Sequence, residues 1–143
     1  MLEVRVTGAI GAPAAKVWAY AGDFDGLPRW IPGIVASRVE GQGIGQIRHL
    51  TIKRRGSQFA QERLTARDDG DFHLVYEIVE SSLPVADYTS WFRLVPSSDG
   101  AGCTLDWRAT FVPGNGASPE DARAFVEGAY RAGLASLQDR FGR

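Results

Sequence analysis

Residues 118–141 read S-P-E-D-A-R-A-F-V-E-G-A-Y-R-A-G-L-A-S-L-Q-D-R-F, and the rest of the fold is organised around them. Ser118 suits a helix N-cap, Pro119 a first helical position, and Glu120 and Asp121 the positive end of the helix dipole. Phe125, Val126, Ala129, Tyr130, Gly133, Leu134, Leu137 and Phe141 recur at intervals of three and four. The spacing predicts one long helix with a single apolar face, running to about Phe141. Such a face needs a partner layer.

That layer is legible upstream. Residues 34–112 repeat alternating apolar and polar runs punctuated by G-Q-G-I-G, R-R-G-S, D-D-G-D, S-S-L-P and S-S-D-G-A-G, which predicts an antiparallel meander of six strands. At the N-terminus Leu2, Val4, Val6 and Ile10 alternate with Glu3, Arg5 and Thr7, a seventh strand. Between them, A-P-A-A-K-V-W-A-Y-A-G predicts a short helix with Pro13 at its first position, Gly22 at its stop, and Val17 and Trp18 inward. The stretch D-F-D-G-L-P-R-W-I-P-G holds too much Pro and Gly for more than a broken second helix of a turn or two, with Asp23 and Asp25 as candidate N-caps. The expected fold is α+β: a single domain over 1–143, in which a curved seven-stranded antiparallel sheet with two short helices grips the long C-terminal helix around a hydrophobic cavity.

Composition narrows the function classes. The 143 residues carry 16 basic and 17 acidic side chains, a balance that offers no field for nucleic acid or an anionic membrane surface. One cysteine, Cys103, and two histidines, His49 and His73, exclude an internal disulfide and a thiolate or imidazole metal cluster, so no metal is expected. Glu3 and Arg5 interrupt the first ten residues, and no window elsewhere approaches ~18 uncharged apolar residues, so no membrane insertion and a cytoplasmic location are expected. Lysine occurs only at Lys16 and Lys53, a usage that points to a GC-rich bacterial genome. The expected assembly is a monomer or weak homodimer.

Glycine is in surplus, with 17 residues or about 12% against a usual share of roughly 7%. Most punctuate turns. Gly128 and Gly133, however, sit among Ala129, Ala132, Ala135 and Ser136 inside the long helix, where each glycine costs about 1 kcal/mol relative to alanine. Two readings follow: close backbone packing against the sheet, or a void between helix and sheet that receives a ligand.

Period-two alternation then assigns side chains to faces. Over 44–54 the inward set is Ile44, Gln46, Arg48, Leu50 and Ile52; the next strand sends in Ala60, Glu62, Leu64 and Ala66, with Phe59 an outward exception. Phe72, Leu74, Tyr76 and Ile78 share a face, as do Ala86, Tyr88, Ser90, Phe92 and Leu94, and the last strand turns Cys103, Leu105, Trp107, Ala109 and Phe111 inward. An arginine, a glutamate and two tyrosines thus enter an apolar concavity from four successive strands. An unpaired charge there is very unfavourable, so Arg48 and Glu62 are expected to be partners. The pair can serve only to fix register, or it can be the polar floor of a pocket, with Glu62 shuttling a proton while Arg48 and a phenol stabilise an anionic oxygen. Burial raises a carboxylate pKa and a neighbouring arginine lowers it, which leaves the protonation state of Glu62 open. Trp91, outward by parity, warns of a bulge in that strand.

The order of elements resembles the helix-grip superfamily of START domains, Bet v 1 allergens and polyketide cyclases. I-x-A-P-x-x-x-V-W, D-F-D-G-L-P-R-W-I-P-G and G-L-A-S-L-Q-D-R-F look like its polyketide cyclase/dehydrase and lipid-transport group. V-E-G-Q-G-I-G-Q-I-R, A-Q-E-R-L-T-A-R-D, Y-E-I-V-E-S and A-D-Y-T-S-W-F look most like the lachrymatory-factor-synthase-like branch. That resemblance implies Arg48, Glu62, Tyr76 and Tyr88 as catalytic residues, and metal-free, cofactor-free proton transfer on a small activated substrate. E-R-L-T-A-R-D-D and S-S-L-P-V-A-D-Y are also similar to plant abscisic-acid receptors, but the receptor gate, latch and carboxylate-binding lysine are replaced near residues 54–57, near 82–85 and at Ile31, which argues against a hormone receptor.

The expected activity is binding of a small hydrophobic, partly oxygenated molecule, with acid-base chemistry of the cyclase, dehydratase or isomerase kind. The expected lining is Trp30, Leu50, Leu64, Phe92, Trp107, Phe125, Ala129 and Gly133, with a rim at Pro32-Gly33, Gly56 and Pro84. A non-catalytic carrier or sensor of lipids or polyketide-like ligands is the alternative. A chaperone-like binder of partners is a third, marked only by Trp91. Lys53, Arg54 and Arg55 read as a solvated hairpin tip, His49 and His73 as surface residues, and Cys103 as a small core side chain. G-Q-G-I-G leads into a strand rather than a helix and is no phosphate loop.

Overall fold

The computed structural model describes residues 1–54 and 56–143; Arg55, part of the expected basic tip, lies outside them. The chain runs β1 (Leu2–Ile10), α1 (Ala14–Ala21), a single 3-10 turn (Leu27–Arg29), β2 (Ile34–Glu40), β3 (Ile47–Lys53), β4 (Ser57–Asp68), β5 (His73–Ser81), β6 (Val85–Pro96), β7 (Cys103–Pro113) and α2 (Pro119–Phe141). Seven strands form one antiparallel sheet in the order β1-β7-β6-β5-β4-β3-β2. The expected meander closes by pairing its last strand with the first, Leu2 opposite Phe111 and Ile10 opposite Cys103.

Alternation accounts for the inner face. Leu50, Ile52, Leu64, Leu74, Phe92, Leu105, Trp107 and Phe111 are buried, and Val126, Tyr130, Leu134 and Leu137 of α2 close over them. Ser118 caps α2 by accepting a hydrogen bond from the Asp121 N–H at 3.1 Å. Helix and sheet approach closely at Gly8, where a Cβ would fall 2.5 Å from the Leu134 side chain; the glycine makes room for that leucine. Val17 and Trp18 anchor α1 inward as expected, and the Trp18 indole N–H donates to Asp69 at 2.9 Å.

Departures from the expected pattern have local causes. Pro13 is the N-cap of α1 rather than its first residue. The second helix shrinks to the Leu27–Arg29 turn, capped by Gly26 without a side chain; Asp23 instead accepts from the Asp25 N–H and the Arg29 guanidinium. Ile44 lies in the turn before β3 and is 61% exposed, because the strand starts only after Gly45 with its φ of +96°. Ala66 is exposed rather than inward because the β4–β5 register shifts between Leu64 and Ala66. A bulge between Ala86 and Thr89, with Asp87 at φ 49°, buries Val85 in place of Ala86. Trp91 stands in regular register opposite Val75 and Arg108, and the Arg108 guanidinium covers its ring at 3.9 Å. The partner-binding marker expected there is therefore shielded.

Candidate functional site

Arg48 of β3 and Glu62 of β4 are direct cross-strand partners. They are only 3% and 7% exposed, which makes their pairing obligatory. Arg48 Nε donates to Glu62 Oε1 at 2.8 Å and Nη2 approaches the same oxygen at 2.7 Å. Its third contact is Nη1 to the Phe24 carbonyl at 3.1 Å, supplied by the irregular segment between α1 and the 3-10 turn. The guanidinium carbon lies 4.1 Å from the Phe24 ring centroid and 4.6 Å from that of Tyr76, a desolvated cation between two π faces. On its other side Glu62 stands at a register shift against β5, while its inward direction stays in phase with Ala60 and Leu64. Both arginine contacts fall on Oε1, Oε2 has no hydrogen-bond partner among the described residues, and Glu62 helps to line the cavity.

That cavity lies between sheet and α2, has a volume of about 70 Å³, and is predominantly apolar. Tyr76 and Tyr88 line it as expected. Beside them runs a hydroxyl chain: the Trp107 indole N–H donates to Ser90 Oγ at 3.1 Å, Ser90 Oγ meets the Tyr130 hydroxyl at 2.6 Å, and Tyr130 hydrogen-bonds Tyr88. Burial raises the pKa of Tyr76, with the Glu62 charge acting in the same direction. Burial also pushes Tyr88 and Tyr130 well above the ordinary phenol value, reinforced by the neighbouring phenols. All three stay protonated at neutral pH and are available as donors.

Of the expected lining, Leu50, Trp107, Phe125 and Ala129 border the cavity; Trp30, Leu64, Phe92 and Gly133 do not. Arg48 sits behind Glu62 rather than in the wall. The reason is aromatic packing. Trp107 stacks on Tyr130 with centroids 4.0 Å apart and an interplanar angle of 7°, and Trp30 and Phe92 close on Trp107 at 5.7 and 5.3 Å. A Cβ on Gly133 would lie 2.9 Å from Trp107 and 3.1 Å from Trp30. The room left by Gly133 is thus occupied by indoles, and Gly128 faces open solvent, so neither glycine walls a void. Leu64 belongs to the sheet core.

Three contributors were missed. Sequence periodicity places Tyr130 on the apolar helix face, and the signal for its further role is that a buried phenol needs a hydrogen-bond partner. Ser90 shares inward parity with Tyr88 and is fully buried. Arg54, assigned to a solvated tip, shares the parity of Arg48, Leu50 and Ile52 and reaches the cavity mouth. Of the expected rim, Pro32 and Gly33 contact Arg54 and Pro84 borders an outer cleft; a Cβ on Gly56 would meet nothing within 4 Å. Cys103 is a buried core side chain whose thiol pKa burial raises, and His49 contacts Glu40 on the outer face at 2.8 Å. No helix among the described residues is long and apolar enough to cross a membrane.

The profile of the family described as polyketide cyclase / dehydrase and lipid transport matches residues 1–142. The chain belongs to that family. The polyketide cyclase/dehydrase and lipid-transport family carries the helix-grip fold of START and Bet v 1-like proteins, the one expected from element order. XoxI from Bacillus cereus is 28% identical, with 99% of this chain and 96% of that chain covered and a TM-score of 0.89. A Thermobifida fusca protein solved by NMR in solution is 31% identical over 100% and 95%, with a TM-score of 0.81. The Zhui aromatase/cyclase from Streptomyces sp. R1128, 21% identical over 96% and 89% with a TM-score of 0.77, shares the fold. Comparison with the curated proteins finds no match.

Proposed function

We propose that this member of the family binds a small hydrophobic, partly oxygenated molecule between sheet and α2, and performs cofactor-independent acid-base chemistry on it, of the cyclase, dehydratase or isomerase kind. One observation carries the reading: a buried carboxylate that lines an apolar cavity, with one oxygen clamped by arginine and the other without a hydrogen-bond partner among the described residues, beside phenols held protonated. Oε2 of Glu62 takes a proton from carbon or oxygen of the bound molecule and returns it elsewhere. Arg48, fixed by Phe24 and Tyr76, keeps the carboxylate oriented. The Tyr76 and Tyr88 hydroxyls donate to the oxygen on which negative charge develops. The family's description and the resemblance of these four residues to the lachrymatory-factor-synthase-like branch support the same chemistry.

With 2-octanone in deuterium oxide as the probe, wild-type protein should accelerate deuterium exchange at the carbons beside the carbonyl, followed by NMR. Glu62→Gln should lower that rate by about a hundredfold or more while ketone affinity changes little. A wild-type protein that binds the ketone without accelerating exchange would overturn the proton-transfer role. It would leave the second reading, a carrier, which the apolar lining and the family's lipid-transport description favour. For a carrier, native mass spectrometry of freshly purified protein should show an unmodified ligand retained.

A further inference from the structure

The inner cavity is continuous in its wall with an outer cleft of about 460 Å³, and the residues common to both are Arg54 and Phe125. Arg54 follows β3 immediately, six residues from Arg48 and on the same parity, on the order of 20 Å along the strand at the usual rise. Arg54 and Glu62 both line the inner cavity, and of the two only Arg54 also lines the outer cleft. Arg54 is seated by its surroundings. Gly33, at φ +90°, lacks the Cβ that would fall 2.6 Å from the Arg54 side chain. Nε and Nη2 both donate to the single Pro32 carbonyl oxygen, at 3.2 and 2.7 Å. The guanidinium lies 6.0 Å from the Phe125 ring centroid. No carboxylate among the described residues pairs with it, although Asp121 lines the same cleft.

Arg54 is exposed, with two of its donors on one neutral oxygen, and guanidinium geometry suits the two oxygens of a carboxylate, to which charge-assisted bonds are roughly twice as strong. Resting on the cavity reading proposed above, we infer that Arg54 anchors a carboxylate head at the entrance, so that the ligand is a monoanionic amphiphile with its apolar body inside and its charge at the mouth. Packing also lowers the guanidinium pKa through loss of water, and a bound anion offsets that loss. A dianionic head fits less well, because one cation faces it and Asp121 shares the cleft.

The test uses octanoate and 1-octanol as probes by isothermal titration calorimetry at neutral pH, with wild type, Arg54→Gln and Arg54→Lys, each shown folded by circular dichroism. Wild type should bind octanoate about tenfold or more tighter than octanol, the equivalent of one charge-assisted contact. Arg54→Gln should abolish that preference by weakening octanoate alone, and Arg54→Lys should keep part of it. Equal affinities in wild type, or a preference that survives in Arg54→Gln, would overturn the anchor while leaving the cavity reading standing. Binding of neither probe would overturn the cavity reading and the anchor together.

Discussion

Arg48 and Glu62 hold each other in place more than they stabilise the protein. Desolvating two charges offsets most of their attraction, so a buried pair often does no better than well-packed apolar residues, whereas removing one partner strands the other. Arg48→Met should therefore destabilise the fold by about 3–5 kcal/mol, while the double variant Arg48→Met with Glu62→Leu should lie within about 2 kcal/mol of wild type. Urea denaturation of the four proteins in this cycle measures both quantities; a mild Arg48→Met effect would mean that water reaches Glu62 through the cavity. The pair was legible in the sequence because parity placed two opposite charges on one apolar face. That both arginine contacts fall on one carboxylate oxygen was not, since the guanidinium is also held by the Phe24 carbonyl, from a segment without periodicity. Arg54 was misread for a related reason: its parity pointed inward, but a position just past a strand end carries no rule for where a long side chain folds back.

Helix α2 tests two glycines with opposite surroundings in one element. At Gly128 a Cβ would meet nothing within 4 Å, so Gly128→Ala should stabilise the protein by up to about 1 kcal/mol through helix propensity. At Gly133 the same methyl would press on Trp107 and Trp30. Overpacking of about 1–3 kcal/mol should outweigh the propensity gain, and Gly133→Ala should be net destabilising. Thermal unfolding of both variants decides the signs, and near-ultraviolet circular dichroism should register the displaced indoles only in Gly133→Ala. The sequence showed that the helix holds small residues, and alternation with turn residues showed the seven strands. It could not show which glycine faces indole and which faces water, because that follows from how Trp107 and Trp30 pack on α2, and Trp30 is delivered by a segment without periodicity. The misplaced Ile44, Ala66 and Ala86 mark the same boundary: period-two reasoning holds within a strand and between register shifts, and fails before the strand begins or across a shift.

At the scale of the whole molecule, sheet and α2 together enclose three of the four tyrosines, which ties global stability to alkaline pH. Burial raises the pKa of Tyr76, Tyr88 and Tyr130 above the ordinary value of 10.0. In the unfolded chain these phenols release their protons near pH 10, whereas in the folded chain they retain them. Below that point both states are protonated and the contribution to stability is fully present. Above it the unfolded state binds fewer protons than the native one, so stability falls as pH rises, by about 1.4 kcal/mol per pH unit for each phenol and on the order of 4 for all three. Urea midpoints measured between about pH 8 and pH 11 should be flat at first and then drop steeply. Phenolate absorbance should rise cooperatively with unfolding rather than ahead of it. Tyr130→Phe should remove about a third of the slope, at the expense of the hydroxyl links to Ser90 and Tyr88. If the phenols instead ionised in the folded protein before the midpoint moved, water would have entered the cavity without unfolding. The dry, donor-rich environment required for the proposed chemistry would then be absent.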